Sequence, residues 1–123
     1  MAKVLIVDDS ETLLATAREV LEGAGYTVFT ARNWRECRTA LSVRPDLVLV
    51  DVVLPGYESG DQLAVELRKH PMTADSRIVF FSSQSELALQ RMVHSSGADG
   101  YIWKGAEVDE FLAKVGRHLP RPG

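Results

Sequence analysis

Three runs of four consecutive apolar residues constrain the fold of this chain more than any other feature. They occupy residues 4–7, 47–50 and 78–81. Each run is apolar at every position and not at every second one, so both faces of the strand that it predicts must be covered. Strands of this kind are typical of parallel sheets with helices on either side. The runs therefore predict the centre of an α/β domain.

Segments with apolar residues at helical spacing separate these runs. Residues 10–24 carry such a stripe behind Ser10 as N-cap, and Asn33 with Glu36 resembles a capping box for a second helix that we expect to reach about Val43. Residues 27–30 and 101–103 predict two further strands. Three further helices are predicted around Leu63, Ala64 and Leu67, around Leu87, Ala88, Met92 and Val93, and along Val108, Phe111, Leu112, Val115 and Leu119. Five strands alternating with five helices predict a doubly wound α/β domain with a five-stranded parallel sheet.

Length and composition limit the classes of protein that the chain can belong to. Its 123 residues suit one domain, and a net charge of −3 without clustered Lys and Arg argues against direct contact with nucleic acid. No apolar run approaches the roughly 18 residues of a membrane span, and no signal-peptide pattern is present. We therefore expect a cytoplasmic protein without membrane contact. Cys37 is interpreted as a small core residue, and the three histidines as surface residues without zinc-binding spacing.

Polar residues follow four of the predicted strands. Asp8 and Asp9 follow the first, Asp51 the third, Ser82 the fourth and Lys104 the fifth. Ligands of open parallel sheets bind outside the carboxyl ends of the strands. Crowded carboxylates are costly unless a cation joins them, and oxygen ligands suit Mg²⁺. A carboxylate nucleophile, a metal, a hydroxyl and an ammonium at one edge indicate a phosphoryl-transfer site.

These residues lie in four blocks that carry a family resemblance: 7–9, 51–56 with Gly60, 81–83, and 97–104. In this order, each at a strand end, they resemble the response-regulator receiver domain of two-component signalling, including its chemotaxis members. The resemblance covers residues 3 to about 119. It implies a flavodoxin-like fold with strand order 2-1-3-4-5, one receiver domain over residues 1–119, and a Pro-rich tail or start of a linker at 120–123.

The resemblance also implies a phosphoacceptor and a metal site. Asp51 is the expected phosphoacceptor, taking a phosphoryl group from a phosphohistidine. The expected Mg²⁺ ligands are Asp9 directly, Asp8 directly or through water, Asp51, and the backbone carbonyl of Val53.

Three other residues have roles that the resemblance implies. Lys104 is expected to pair with the phosphoryl oxygens and Ser82 to donate its hydroxyl to them. Tyr101 is expected to move inward as Ser82 is drawn towards the phosphoryl group. Ser82 and Tyr101 thus form the predicted switch, a shift between two states of the domain.

The implied function is a phosphorylation-activated signalling switch that is not a turnover enzyme in the usual sense, although it phosphorylates and slowly dephosphorylates itself. Its expected input partner is a histidine kinase or histidine phosphotransfer protein. Its output is expected on helix four, strand five and helix five, around Met92, Tyr101, Trp103 and Phe111, towards a downstream protein or a second copy in a phosphorylation-dependent dimer.

The chain departs from the family pattern at two places. The loop after Asp51 is one residue longer than usual, because Gly60 lies nine positions after Asp51 and the family's common spacing is eight. Gly105 follows Lys104 where the family generally has proline. We expect either a trans bond with a reshaped loop or a strained cis bond at Gly105. These departures leave open an unphosphorylated interaction module. An aspartyl-phosphate phosphatase is a second alternative, although Val53 stands where its second acid is expected, and a flavin binder is a third.

Overall fold

The computed structural model describes residues 2–54 and 60–119, and these form one five-stranded parallel sheet between two layers of helices. The strand order is β2-β1-β3-β4-β5, so the fold and order predicted from the sequence are confirmed. The strands are β1 Lys3–Val7, β2 Thr27–Ala31, β3 Leu47–Val50, β4 Arg77–Ser82 and β5 Gly100–Trp103, and the helices are α1 Glu11–Gly23, α2 Trp34–Ala40, α3 Gly60–Lys69, α4 Glu86–Ser96 and α5 Val108–His118.

The predicted strands at the centre of the sheet are buried on both faces. Alternate residues of β1, β3 and β4 point into two separate apolar clusters, one on each face. Helices α2, α3 and α4 cover the first cluster, which includes Cys37, and α1 and α5 cover the second. Cys37 is fully buried, and burial raises the pKa of its thiol to about 12. Its interpretation as a core residue is therefore confirmed.

Local signals set the ends of several helices as the sequence predicts. The Ser10 side chain accepts the Leu13 N–H, and the Asn33 side chain accepts the Glu36 N–H. At the other end of a helix, Gly97 has a φ of +79°, a left-handed conformation that glycine adopts without steric cost.

The second helix is shorter than predicted. Helix α2 ends at Ala40, and residues 41–43 form one turn of 3-10 helix instead of continuing it. Arg44 then adopts a left-handed φ of +54° immediately before Pro45. The helix tightens here because proline disfavours helical geometry in the residue before it, and the chain must turn at once into β3.

Residues 55–59, which contain most of the longer loop after Asp51, and the tail at 120–123 lie outside the described residues. Within the part of the chain that is described, no helix is long and apolar enough to span a bilayer.

The edge of the sheet opposite the predicted site carries a charged network around Asp99. Its carboxylate accepts the Ile78 N–H at 2.8 Å and pairs with Arg68 at 2.6 Å and Arg77 at 3.5 Å. Burial raises the pKa of Asp99, but the bond from Ile78 and the two guanidinium groups outweigh it and hold the pKa below its ordinary value. The network joins α3, β4 and the start of β5.

His118 corrects the interpretation of all three histidines as surface residues. Its imidazole packs on Gly100, where an added Cβ would overlap the ring. The side chain is half-buried, and burial lowers its pKa. Helix α5 therefore ends against β5, in a contact that the spacing of residues in the sequence does not reveal.

Replacing Asp99 with Asn should lower the free energy of unfolding at pH 7 by about 1–2 kcal/mol, since charge-assisted hydrogen bonds are lost from a partly buried group. The folded pKa of Asp99 is depressed, so its contribution is present above the unfolded value of about 4 and is lost as the pH falls through the folded value. Urea unfolding of both proteins should therefore show the difference at pH 7 and a smaller one near pH 3. Asp75→Asn, at an exposed position, is the control; an equal difference at both pH values would contradict the role of the ionised carboxylate.

Candidate functional site

The predicted acidic residues meet at the carboxyl edge of the sheet. Val7 of β1 pairs with Val50 of β3, so Asp8 and Asp51 are the next residues on two adjacent strands. The Asp51 N–H donates to the Val7 carbonyl at 3.0 Å, which extends the strand pairing to the base of the site. Asp8 and Asp51 are buried and Asp9 is exposed.

The three carboxylates form a cluster that could hold a metal ion. One oxygen from each of Asp8, Asp9 and Asp51 lies within 4.8 Å of the others. Oxygen donors in a group of this kind suit a hard divalent cation. The Oδ2 atom of Asp8 is buried and makes no hydrogen bond within the described residues, although the Lys104 ammonium lies 2.7 Å away, so lone pairs of this oxygen remain available to a cation. The donor set therefore fits a cation of the Mg²⁺ class.

Lys104 brings a positive charge into this cluster from the end of β5. Its Nζ atom lies 2.7 Å from Oδ2 of Asp8 and 3.2 Å from Oδ2 of Asp51, and its side chain is 18% exposed. The contact with Asp51 has the geometry of a hydrogen bond. The contact with Asp8 is an ion pair that lacks this geometry. The structure thus places the predicted Lys104 beside the predicted acids.

Burial and neighbouring charges have opposing effects on the pKa values of Asp51 and Lys104. Burial raises the pKa of Asp51 and the Asp8 carboxylate adds to the rise, although the Val53 N–H and the Lys104 ammonium oppose it. For Lys104, burial lowers the pKa, but the contacts with Asp8 and Asp51 outweigh burial and leave the pKa above its ordinary value. Lys104 is therefore held as an ammonium at neutral pH.

Ser82 and Val53 are the other two predicted residues close to Asp51 in the chain or on the neighbouring strand. Ser82 is the last residue of β4 and is 2% exposed; its carbonyl accepts the Lys104 N–H at 2.8 Å, and its hydroxyl accepts the Gln84 N–H at 3.2 Å. The Val53 N–H donates to Oδ1 of Asp51 at 3.2 Å, while its side chain is 67% exposed. The strand register brings these residues to the same edge, and their chemical roles stay predictions.

Tyr101 lies at one side of the site, on β5. Its ring is half-buried against the cluster under α2, α3 and α4. Its hydroxyl accepts from Gln90 at 3.2 Å and donates to Glu86 at 3.4 Å, so it is bonded to α4 in this conformation.

The predicted output surface is only partly exposed. Trp103 is 42% exposed, and Met92 and Tyr101 are half-buried. Phe111 is 7% exposed, and its ring lies 5.3 Å from that of Phe81. The prediction that Phe111 lies on this surface is therefore wrong, because the apolar face of α5 turns it into the core.

Two features of the site were not predicted. Phe81 lies beneath Lys104, with Nζ 5.7 Å from the ring centroid. A positive charge in this position is attracted by the face of the aromatic ring. The second feature is at Gly105, where the bond to Lys104 is trans and the Trp103 indole covers the glycine. The trans alternative for this bond is thus confirmed, and the lone glycine after Lys104 was the only signal for the contact.

Comparisons with known proteins agree with this geometry. The model of the family described as the response regulator receiver domain matches residues 4–116. The phosphate regulon transcriptional regulatory protein PhoB of Pseudomonas aeruginosa is 34% identical over 121 residues, which are 98% of this chain and 52% of that protein. The chain thus spans about half the length of the curated relatives it matches.

Two solved structures have the same fold over nearly the whole chain. The chemotaxis response regulator CheY4 of Vibrio cholerae has a TM-score of 0.87 and 28% identity, covering 97% of this chain and 99% of that one. The response regulator TrrA of Thermotoga maritima, in complex with Mg(2+)-BeF, has a TM-score of 0.81 and 32% identity, covering 97% and 100%. With the sheet order, the acidic cluster and the match over residues 4–116, the chain belongs to the response regulator receiver domain family, whose members are the receiver domains of two-component response regulators.

Proposed function

We propose that this domain is a signalling switch that is activated when Asp51 accepts a phosphoryl group. The observation that carries the proposal is the position of the Asp51 carboxylate, which lies at the end of a buried strand between an ammonium and two further carboxylates. Membership of the receiver family supports the same assignment. The residue roles below rest on the site geometry together with the family resemblance.

The proposed reaction moves a phosphoryl group from a phosphohistidine to Asp51. An oxygen of the ionised carboxylate forms a bond to phosphorus as the bond from phosphorus to the imidazole nitrogen breaks. The imidazole leaves with the bonding electron pair and takes up a proton from water. The product is a mixed anhydride on Asp51, which water hydrolyses slowly. The phosphohistidine belongs to a histidine kinase or phosphotransfer protein, the proposed input partner.

Asp8, Asp9 and Asp51 are the proposed ligands of Mg²⁺, with the backbone carbonyl of Val53 beside them. When bound, the ion supplies positive charge that offsets repulsion between Asp51 and the phosphoryl oxygens. The Oδ2 atom of Asp8 supports this role, because it is buried and contacts Lys104 but accepts no hydrogen bond within the described residues. That TrrA was solved in complex with Mg(2+)-BeF is a further support.

Lys104 and Ser82 are the proposed partners of the phosphoryl group during and after transfer. Lys104 already contacts Asp51, so a phosphoryl group there lies within reach of its ammonium as a point charge. The Ser82 hydroxyl accepts the Gln84 N–H in this conformation through an oxygen lone pair, so its own O–H can still be donated to a phosphoryl oxygen. Turning towards the phosphoryl group would release that N–H and begin the change at the β4 end.

Tyr101 is the proposed second element of the switch. It is bonded to α4 through Gln90 and Glu86, and it lies next to the surface of α4, β5 and α5. Movement of Ser82 opens room for the ring to turn inward, which breaks these bonds and changes the surface seen by a downstream protein or a second copy. A ligand shifts such an equilibrium only as far as it binds one state better.

A phosphatase with an aspartyl intermediate is less well supported. Such a reaction needs a second acid near Asp51, and the side chain two residues on is the apolar, 67% exposed Val53. The other acids at this edge, Asp8 and Asp9, are the proposed ligands of Mg²⁺, so neither is assigned to protonate a leaving alcohol.

Incubation with acetyl phosphate and Mg²⁺ should give a single phosphoryl adduct that is stable in acid and cleaved by hydroxylamine. Intact-mass measurement should show the adduct in the native protein and none in Asp51→Asn, because the nucleophile is lost. Asp46→Asn is the matched control, since this acid bonds Lys3 at the opposite edge of the sheet. An adduct that persists in Asp51→Asn would assign the phosphoacceptor to another residue. No adduct in the native protein would favour an unphosphorylated interaction module.

Replacing Lys104 with Met should slow adduct formation by about 100-fold, because removing one preorganised charged donor costs about that much in comparable sites. Lys104→Arg should retain part of the rate, since the charge is kept while the shape differs. The rate is followed by intact mass over time, with circular dichroism as the check on folding. Lys114→Met is the control, because Lys114 pairs with Glu110 on α5, away from the carboxylate cluster. A Met variant as fast as the native protein would remove Lys104 from the proposed site.

A further inference from the structure

The segment that carries Lys104 is a tight turn between β5 and α5. The Ala106 N–H donates to the Trp103 carbonyl at 3.1 Å, which closes a β-turn with Lys104 and Gly105 at its centre. On the side facing β4, the Lys104 N–H donates to the Ser82 carbonyl at 2.8 Å. The Lys104 backbone is thus held on one side by the sheet and on the other by the turn.

The Trp103 indole lies directly over Gly105. A Cβ at Gly105 would come within 2.5 Å of Cζ3 and 2.6 Å of Cζ2 of the indole, closer than carbon atoms pack. The φ of Gly105 is outside the left-handed region, so its backbone conformation does not require glycine. Glycine is required here for space, because only a residue without a side chain lets the ring rest on the turn.

The Trp103 indole also lines an apolar groove beside the turn. Trp103 is 42% exposed, and it lines an apolar groove with Leu13, Phe81, Val108 and Phe111. Lys104 lines the same groove. Its ammonium lies over the Phe81 ring and also contacts Asp8 and Asp51. An aromatic ring buries a large apolar area for the loss of few rotatable bonds, so it can hold a turn in which Gly105 is itself exposed.

We propose that Trp103 is a positioning residue for Lys104: its indole, seated on Gly105, holds the turn of residues 103–106 and so keeps the Lys104 ammonium beside Asp51. This inference rests on the proposed phosphorylation of Asp51. Trp103 itself has no contact with the reacting carboxylate in the structure, and it acts through the backbone of the lysine.

The first test is a double-mutant cycle on the full chain, with adduct formation from acetyl phosphate and Mg²⁺ as the rate. Trp103→Ala removes the ring, and Gly105→Ala displaces it, so each should slow the reaction by about 10-fold, as expected for a catalytic group held imprecisely. Together they should be no slower than either alone, because the added methyl group has no ring left to displace. Losses that multiply in the double variant, or a Trp103→Ala protein with the native rate, would overturn the inference.

A control variant separates this role from a general loss of apolar contact. Val108→Ala removes an apolar side chain that is 53% exposed in the same groove but does not lie over Gly105. It should keep the native rate. In a Lys104→Met background, Trp103→Ala should cause no further loss, since the ring acts through the lysine; a further tenfold loss there would also overturn the inference.

Mg²⁺ affinity gives a readout that does not depend on phosphorylation. A well-held ammonium beside Asp8 and Asp51 repels a divalent cation, so Trp103→Ala should bind Mg²⁺ about 3-fold more tightly by calorimetry, the scale of one weakened like-charge contact near a protein surface. A merely damaged fold would instead weaken both the affinity and the rate, and this result or an unchanged affinity would overturn the inference. If the native protein forms no adduct, the proposed function fails, and the affinity change still decides whether Trp103 positions Lys104.

Discussion

The burial of β3 on both faces determines where chemistry can occur in this domain. Its backbone pairs with β1 and β4, and its side chains fill the apolar clusters under both helix layers. Polar groups cannot enter that interior without large desolvation costs. They are therefore confined to the strand ends, and the parallel register brings the ends of β1 and β3 level with each other. Asp8 and Asp51 are neighbours because Val7 and Val50 are paired.

Charge balance then shapes the site. Three carboxylates face one ammonium, so if all are ionised the cluster carries a formal charge of −3 + 1 = −2, equal and opposite to that of a divalent cation. Lys104 relieves part of the repulsion but not all of it, since the pKa of Asp51 remains raised by burial and by Asp8. In the proposed function, the same arrangement would make Lys104 a competitor of the cation before phosphorylation and a partner of the phosphoryl oxygens after it.

The position of Lys104 depends on packing outside the acidic cluster. A lysine side chain has a flexible stem of four carbons. The two ionic contacts of the Lys104 ammonium therefore do not by themselves fix the position of the Lys104 backbone. The hydrogen bond to Ser82, the Phe81 ring beneath the ammonium and the indole on Gly105 limit that freedom from three directions. A similar fit of a ring on a glycine occurs at the far end of β5, where His118 packs on Gly100. At both ends of β5, therefore, an aromatic ring packs on a glycine, where a Cβ atom would leave no room for the ring.

The class of fold, the central strands and the acids at their ends could be predicted from the sequence, because continuous apolar runs and the residues that follow them are local patterns. The sequence also identified Asp8, Asp9, Asp51, Ser82 and Lys104 through their family resemblance. Three outcomes could be read only from the folded protein: Phe111 lies in the core, His118 packs on Gly100, and Trp103 rests on Gly105. These outcomes depend on how helices and turns dock on the sheet, and side chains distant in sequence or folded back across a turn leave no periodic pattern. The residues proposed to carry the chemistry could be named from the sequence, whereas the contacts around Lys104 form only when β5 and α5 pack together.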